Sequence, residues 1–209
     1  MHDHDITAAA QRPDAGLRRT VGIVAALNLA YFGVEFAAAL AIGSVALFAD
    51  SVDFLEDASV NLLIAIALGW SAIARARTGS LLAGIILIPS LATLWMAWEK
   101  FNAPVAPDPV VLTLVGGGAL AVNFTCALLL ARHRNAGGSL SKAAFLSARN
   151  DVIANAALIA TGLLTAATLS PWPDFIVGLA IAALNAGAAW EVWEAADAER
   201  TAAPQRPRA

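Results

Sequence analysis

Four carboxylates lie within one hydrophobic stretch of this 209-residue chain, at residues 46–61, ALFADSVDFLEDASVN. They are Asp50, Asp53, Glu56 and Asp57. At about 100° per residue in a helix, all but Glu56 fall within roughly a quarter turn, together with Asn61. A charge at the centre of a membrane helix costs at least ~2.5 kcal/mol, so three on one face need compensation. A bound cation or an exchangeable proton would supply it, and the stretch therefore predicts a cation site.

A second polar group lies in residues 142–162, KAAFLSARNDVIANAALIATG. The same spacing predicts one shared helical face for Ser147, Asn150, Asp151 and Asn155. In both stretches an Asp is followed four residues later by an Asn and then by an apolar run. Two helices with acids at corresponding depth are typical of a site at the membrane midplane. We expect four oxygen ligands, two from each helix: Asp53, Asp57, Ser147 and Asp151.

Other polar residues interrupt the apolar segments and allow more than one interpretation. Glu35 is either a proton or access-route residue or a buried partner for Arg149. Single asparagines favour an interhelical hydrogen bond, and this is the expected role of Asn28, Asn123 and Asn185. Asp50 or Glu56 alternatively caps the start of the second helix at the membrane edge. That alternative does not account for the acids deeper in their helices.

The elements that must position these residues are membrane helices. Hydrophobic residues make up 59% of the chain and charged residues only 14%, with a mean hydropathy of +0.68. Soluble domains carry about 25% charged residues, so the composition indicates an all-α, multi-pass membrane protein. Each apolar block is near the ~20 residues that a bilayer requires. The predicted spans are 20–42, 45–69, 78–100, 109–132, 142–168 and 174–195.

The spans leave a polar tail at residues 1–19, which begins MHDHD, and a short tail at 196–209. His2 and His4 either hold a metal weakly or belong to a disordered start. Nearly all Lys and Arg outside the spans fall on one side, and Lys100 falls on the other. The positive-inside rule then places both termini in the cytoplasm. We expect a protein of the cell (inner) membrane without a nucleic-acid partner.

At these residues the chain resembles the cation diffusion facilitator family of divalent-metal/proton antiporters. The family pattern A-D-x-x-[HD]-x-x-x-D matches Ala49 to Asp57, read as ADSVDFLED. Asn28, Glu35 and the pair Gly43-Ser44 also stand where family members tend to have them. The resemblance implies six spans and a tetrahedral metal site shared between the second and fifth helices. It also implies a homodimer.

Two features depart from the family pattern. The fifth-span motif [HD]-x-x-x-D reads here Ser147-Ala148-Arg149-Asn150-Asp151, so a hydroxyl stands where the family has His or Asp. The cytoplasmic metal-binding domain, which helps the family to dimerise, is absent from the sequence. The chain is therefore expected to be a short member of the family.

The resemblance implies export of a divalent transition metal from the cytoplasm in exchange for protons. The ligands carried over are Asp53, Asp57, Asp151 and, more weakly, Ser147, with Asp50, Glu35 and Asn150 as second candidates. Oxygen ligands favour Mn²⁺, Mg²⁺ or Fe²⁺ over Zn²⁺, although three carboxylates still hold zinc, and Co²⁺ stays a candidate. Crowded carboxylates repel each other without metal and favour proton uptake. No further cofactor is expected.

Two other functions compete with transport. A protein of the same fold that has lost transport would act as a metal sensor or partner subunit, and the change at Ser147 favours it. A lipid head-group transferase also groups Asp residues at a helix end, but its D-G-x-x-A-R signature is missing here. The chain is therefore not expected to be an enzyme.

Overall fold

The computed structural model describes residues 15–67, 74, 88, 91–133 and 138–202. The predictions for His2 and His4, for most of the third span and for residues 203–209 concern positions outside these ranges. The side chain of Ser147 also lies outside the described part of the structure.

The described residues form helices and no strands, which confirms the all-helical prediction for them. The helices are α1 (Ala15–Ile42), α2 (Val45–Ala67), α3 (91–102), α4 (Pro109–Ala131), α5 (Gly138–Thr168) and α6 (Trp172–Ala202). Helix α6 continues past residue 195, so the first part of the predicted C-terminal tail is helical. Helices α1, α2 and α4 end close to the predicted spans because apolar length and the breaks between blocks decide both.

Gly43 makes the tight turn that joins α1 to α2. Its φ of 64° is in the left-handed region, which glycine occupies without steric cost. The amide of Ser44 donates to the carbonyl of Ala39 at 3.1 Å, the bond that closes a Schellman motif at a helix C-terminus. The Ser44 hydroxyl then accepts the amide of Leu47 at 3.1 Å and caps α2. One helix therefore follows the other with almost no connecting chain.

Helix α4 begins with a conventional cap. The carboxylate of Asp108 accepts the amides of Val110 and Val111 at 2.8 and 3.0 Å. Pro109 occupies the first turn, where no amide hydrogen is needed. The proline-rich stretch before it is therefore a loop, as predicted.

Three helices are long and apolar enough to cross a membrane: Gly16–Ile42, Pro109–Ala131 and Ala148–Thr168. The apolar part of α6, Trp172–Gly187, is shorter. Helix α2 has the length of a span but carries four carboxylates, which takes it outside this apolar class. The structure thus supports a multi-pass membrane protein, and the count of six spans stays a prediction.

Two helical hairpins form the bundle, and α6 lies against both of them. The closest packing is within the pairs α1–α2 and α4–α5, whereas α2 and α5 contact each other at only a few residues. Helix α6 packs on both α2 and α5. Gly116 of α4 permits part of this closeness, since a Cβ there would lie 3.2 Å from Leu158 Cγ of α5.

Two apolar clusters occupy opposite ends of the bundle. One contains Val21, Val24, Ile64, Cys126, Leu130 and Ala148, and the other contains Ala39, Leu47, Val52, Leu112 and Leu158. On each of α1, α2, α4 and α5, one set of polar residues falls in sequence between a member of one cluster and a member of the other. We call this level the polar layer; it comprises Asn28, Glu35, Asp53, Asp57, Asn123, Asp151 and Asn155. Apolar packing on both sides isolates the layer within the bundle.

Candidate functional site

The acidic residues predicted for the site are largely removed from solvent. Asp50 is fully buried, and Asp57 and Asp151 are 9% and 8% exposed. Asp53 is partly buried. An ionised carboxylate in such surroundings is costly unless a cation, a proton or hydrogen-bond donors compensate it. The location therefore fits a group of acids that exchange charge with a bound ion.

The structure brings together three of the four predicted ligands. The carboxyl group of Asp151 lies within hydrogen-bonding reach of the carboxyl groups of both Asp53 and Asp57. Two carboxyl groups at this separation are held together when they share a proton. The contact joins α2 to α5 within the polar layer.

The three carboxyl groups do not enclose a common point in this conformation. Within the described ranges, no group of three His, Cys, Asp or Glu side chains is arranged to hold a metal ion. Coordination by Asp53, Asp57 and Asp151 together therefore requires these side chains to turn from one another toward an ion. Ser147 stays a predicted ligand.

Asp57 is oriented by neighbours on its own helix and on α1. The amide of Asn28 donates to Asp57 Oδ2 at 3.4 Å, and the thiol of Cys126 donates to Asn28 Oδ1 at 3.5 Å. Asn61 donates to the main-chain carbonyl of Asp57 at 2.9 Å. The interhelical hydrogen bond predicted for Asn28 is confirmed. The sequence did not indicate that the acceptor of this bond is Asp57, one of the predicted ligands.

A second pair of acids joins α1 to α2. Glu35 and Asp50 are both fully buried, and their carboxyl groups lie within hydrogen-bonding reach of each other. No amide, hydroxyl or cationic donor of the described residues reaches any of their four oxygens. These two groups therefore form their own pair beside the contact of Asp151 with the α2 carboxyls.

Two sequence-based interpretations of neighbouring residues are wrong. Glu35 does not pair with Arg149, which is exposed and donates to Asn150 Oδ1 at 3.3 Å. Asn150 is also exposed, so it does not share the buried face of Asp151 and Asn155. One residue is about 100° of helix rotation, which turns Asn150 out of the bundle although its neighbour points inward.

The alternative that Asp50 caps α2 is also wrong. The helix begins at Val45, so Asp50 lies beyond its first turn, and Ser44 provides the local cap. A carboxylate from another helix, which local sequence patterns do not indicate, also caps the start of α2. Asp174 of α6 accepts the amides of Val45 and Ala46 at 3.0 and 3.2 Å.

Asp174 is the centre of a buried polar network at the end of the bundle where α1 turns into α2. It accepts the Ser44 hydroxyl at 2.5 Å and forms a salt bridge of 2.9 Å with Lys100. Lys100 also donates to the carbonyl of Gly43 at 2.6 Å. A usable signal was present in the sequence, because Lys100 is the isolated cation on its side and Asp174 starts the sixth span there.

Asn185 makes the interhelical bond predicted for it, with the main chain of α2. Its amide donates to the carbonyl of Ala49 at 2.9 Å. Asn123 and Asn155 are buried in the polar layer, and among the described residues no partner reaches Asn123 Oδ1 or either polar side-chain atom of Asn155. The prediction for Asn123 is therefore not confirmed.

Comparison with known families gives one result. The model described as the cation efflux transmembrane domain matches residues 21–196, which is most of the chain. Comparison with individually curated proteins gives no significant match. The matched range contains every carboxylate of the polar layer and the whole α2–α6 contact.

Proposed function

Since the chain belongs to the cation efflux (cation diffusion facilitator) family of membrane cation transporters, we propose that it exports a divalent transition-metal ion from the cytoplasm in exchange for protons. The family match supports transport of a cation across a membrane. The carboxyl contacts of the polar layer support a divalent metal ion as the cation and protons as the exchanged ion.

The contact of Asp151 with Asp53 and Asp57 is the observation that carries the proposal. It joins carboxyl groups of two helices that otherwise pack little against each other. A site between two loosely packed helices becomes accessible when the helices move apart, and it is closed again when they move back together. When α2 and α5 are together, the apolar clusters on both sides of the polar layer keep water from passing between them.

Charge balance couples the binding of metal to the release of protons. Carboxyl groups in contact are stable when they share protons, whereas a divalent ion is held by ionised carboxylates. A metal ion that enters therefore releases protons, and protons that return release the metal. Three ionised aspartates leave one negative charge around a divalent ion, and the exposed Arg149 is not placed to balance it.

Asp53, Asp57 and Asp151 are the proposed ligands, with Ser147 as a weak fourth ligand or the residue that holds a water. An oxygen donor set suits Mn²⁺ or Fe²⁺ better than Zn²⁺, although three carboxylates still hold zinc, and Co²⁺ is a further candidate. Glu35 and Asp50 are proposed to carry protons, since they are buried as a pair outside this set. Asn150 is not proposed as a ligand because it is exposed.

The test is metal uptake into proteoliposomes that contain the full chain and an acidic lumen. The compared proteins are the wild type, Asp57→Asn and the control Asp108→Asn. Asp108 is an exposed carboxylate that caps α4 and lies outside the polar layer. Wild-type protein and the control should take up metal as long as the pH gradient lasts. Asp57→Asn should abolish this uptake, and acidifying the external medium should slow it, because protons compete for the same carboxylates.

Three outcomes contradict the proposal in different ways. Uptake that does not respond to collapse of the gradient removes proton exchange. Uptake that survives in Asp57→Asn removes the proposed site. Metal binding without flux in the wild type favours the sensor or partner-subunit function instead.

A further inference from the structure

Helix α6 holds the main chain of α2 at two levels through buried polar side chains. Asp174, fully buried, accepts the amides of Val45 and Ala46. Asn185, 4% exposed, donates to the carbonyl of Ala49. Main-chain partners do not change rotamer, so these bonds fix the position of the α2 helix itself and not only of one side chain.

The contact between the two backbones is direct. A Cβ placed on Gly178 would lie 2.7 Å from the carbonyl carbon of Val45 and 2.8 Å from the amide nitrogen of Ala46. Ile181 and Ala182 continue the contact by packing against Ala49. No flexible side chain separates the helices at Gly178, so α2 cannot slide or rotate there without breaking the bonds to Asp174.

These residues form one stripe along α6. Gly178 follows Asp174 by four residues and Asn185 follows Gly178 by seven, which returns to the same helical face each time. Asp174 is additionally fixed by Lys100 of α3 through the 2.9 Å salt bridge. The stripe is therefore anchored at one end to a third helix.

The start of α2, which α6 holds in this way, leads directly into the part of the helix that carries the acids. The Ala49 carbonyl belongs to the turn that leads into Asp50 and Asp53, and Asp57 follows two turns later, about 12 Å along the axis at 1.5 Å per residue. Helix α5, which carries Asp151, contacts α2 little, but α6 packs on both helices. The relative depth of the two acid-bearing helices is thus set through α6.

We propose that Asp174 and Asn185 are positioning residues that set the depth and rotation of α2 against α5, and thereby the affinity and the metal preference of the carboxylate site. The inference rests on the proposed function, since it assumes that Asp53, Asp57 and Asp151 bind the transported ion. Neither residue touches the ion; each acts through the main chain of α2.

The experiment measures the affinity of the purified full chain for Zn²⁺ and for Mn²⁺ in separate titrations. The variants are Asn185→Leu, which has a side chain of the same branched shape but cannot donate, and Asp174→Asn, which removes the charge that pairs with Lys100. The control is Asp108→Asn, which alters a carboxylate that also accepts two main-chain amides but caps α4, where no ligand is proposed. Residues that orient metal ligands typically contribute 10- to 100-fold in affinity.

We expect each α6 variant to weaken metal binding by about 10-fold or more, and by unequal factors for the two ions, while the control keeps the wild-type ratio. A lower unfolding temperature with unchanged affinities and ratio would overturn the inference, because a merely structural contact behaves in that way. If Asp174→Asn does not fold, Asn185→Leu decides alone. A wild type that binds neither ion overturns the proposed function together with this inference, whereas a wild type that binds and variants that bind equally well overturn only the inference.

Discussion

At the scale of single residues, Asn28 shows how a neutral side chain can control a charged one. It reaches from α1 to Asp57 Oδ2 at 3.4 Å while its own carbonyl oxygen accepts the thiol of Cys126 at 3.5 Å. The two bonds fix the orientation of the Asn28 amide, with its nitrogen toward the carboxylate. Asp57 is therefore presented to the polar layer in one direction.

Replacement of Asn28 by Leu removes this donor and keeps the branched shape of the side chain. We predict a loss of about 10-fold in metal affinity, the lower end of the effect of residues that orient ligands. The matched control is Asn102→Leu, because Asn102 is exposed and donates within α3 to the carbonyl of Trp98. Titration of both purified variants with Mn²⁺ checks the prediction, and equal affinities would contradict it.

Helical spacing, together with the corresponding depth of the two stretches, predicted that Asp151 lies close to Asp53 and Asp57. The structure places the Asp151 carboxyl within hydrogen-bonding reach of both. The spacing also placed Asn150 on this buried face, which is wrong, because Asn150 is exposed although the adjacent Asp151 is buried. Local spacing does not give the rotation of a helix within its bundle.

Other contacts between distant residues could not be predicted, because local spacing does not show which helices pack together. Asp174 and Lys100 are 74 residues apart and meet only because α3 ends and α6 begins at the same side of the bundle. The charge pattern places Lys100 on that side, but nothing in local periodicity pairs it with one particular acid. The partner of Glu35 was missed in the same way, because Arg149 was the obvious cation and Asp50 the actual neighbour.

At the scale of helices, the α2–α6 contact depends on a missing side chain. Gly178→Ala would place a methyl group 2.7 Å from the main chain of Val45, which cannot move aside as a side chain does. We predict a loss of about 1–3 kcal/mol in the free energy of unfolding, the usual cost of overpacking. Unfolding of the purified variant in one fixed detergent measures it.

Gly117→Ala is the control for this change. Gly117 is also helical, and a Cβ there meets nothing within 4 Å. Alanine is favoured over glycine inside a helix by roughly 0.5–1 kcal/mol, so this variant should be as stable as the wild type or more stable. If both alanine variants shift stability alike, the helices are not in backbone contact at Gly178.

The helices themselves were largely predictable, and their arrangement was not. Apolar length, Gly43 and the proline-rich stretch before Pro109 gave the element ends, because each acts within a few residues of chain. That α6 packs on α2 and α5, and that α2 and α5 contact each other only a little, follows from side-chain shape along whole helices. No local pattern contains that information.

At the scale of the whole molecule, the arrangement of charged loops predicts the orientation in the membrane. With six spans and cytoplasmic termini, the loop after α3 faces outward and the loop after α4 faces the cytoplasm. We predict that Val105→Cys reacts with a membrane-impermeant maleimide added to intact cells, and that Asn135→Cys reacts only after the membrane is permeabilised. Cys126 is replaced by Ser in both proteins to remove the natural thiol.

The reverse labelling pattern would place the termini outside. Labelling of both cysteines in intact cells would place both loops outside. It would contradict the prediction that α4 crosses the membrane between them. Val105 is 71% exposed, so its reactivity does not depend on a local rearrangement.

The tight turn at Gly43 also has a consequence for biosynthesis. Helix α2, with four carboxylates, is a poor candidate to leave the translocon alone, whereas α1 is strongly apolar. A turn of two residues makes the helices enter the lipid together, and the pairs Asn28–Asp57 and Glu35–Asp50 lie between them. The nascent hairpin can therefore pair Asp57, Glu35 and Asp50 before α4, α5 or α6 has been synthesised. We therefore expect the acids proposed for transport to be tolerated during insertion, because the preceding helix shields them from lipid.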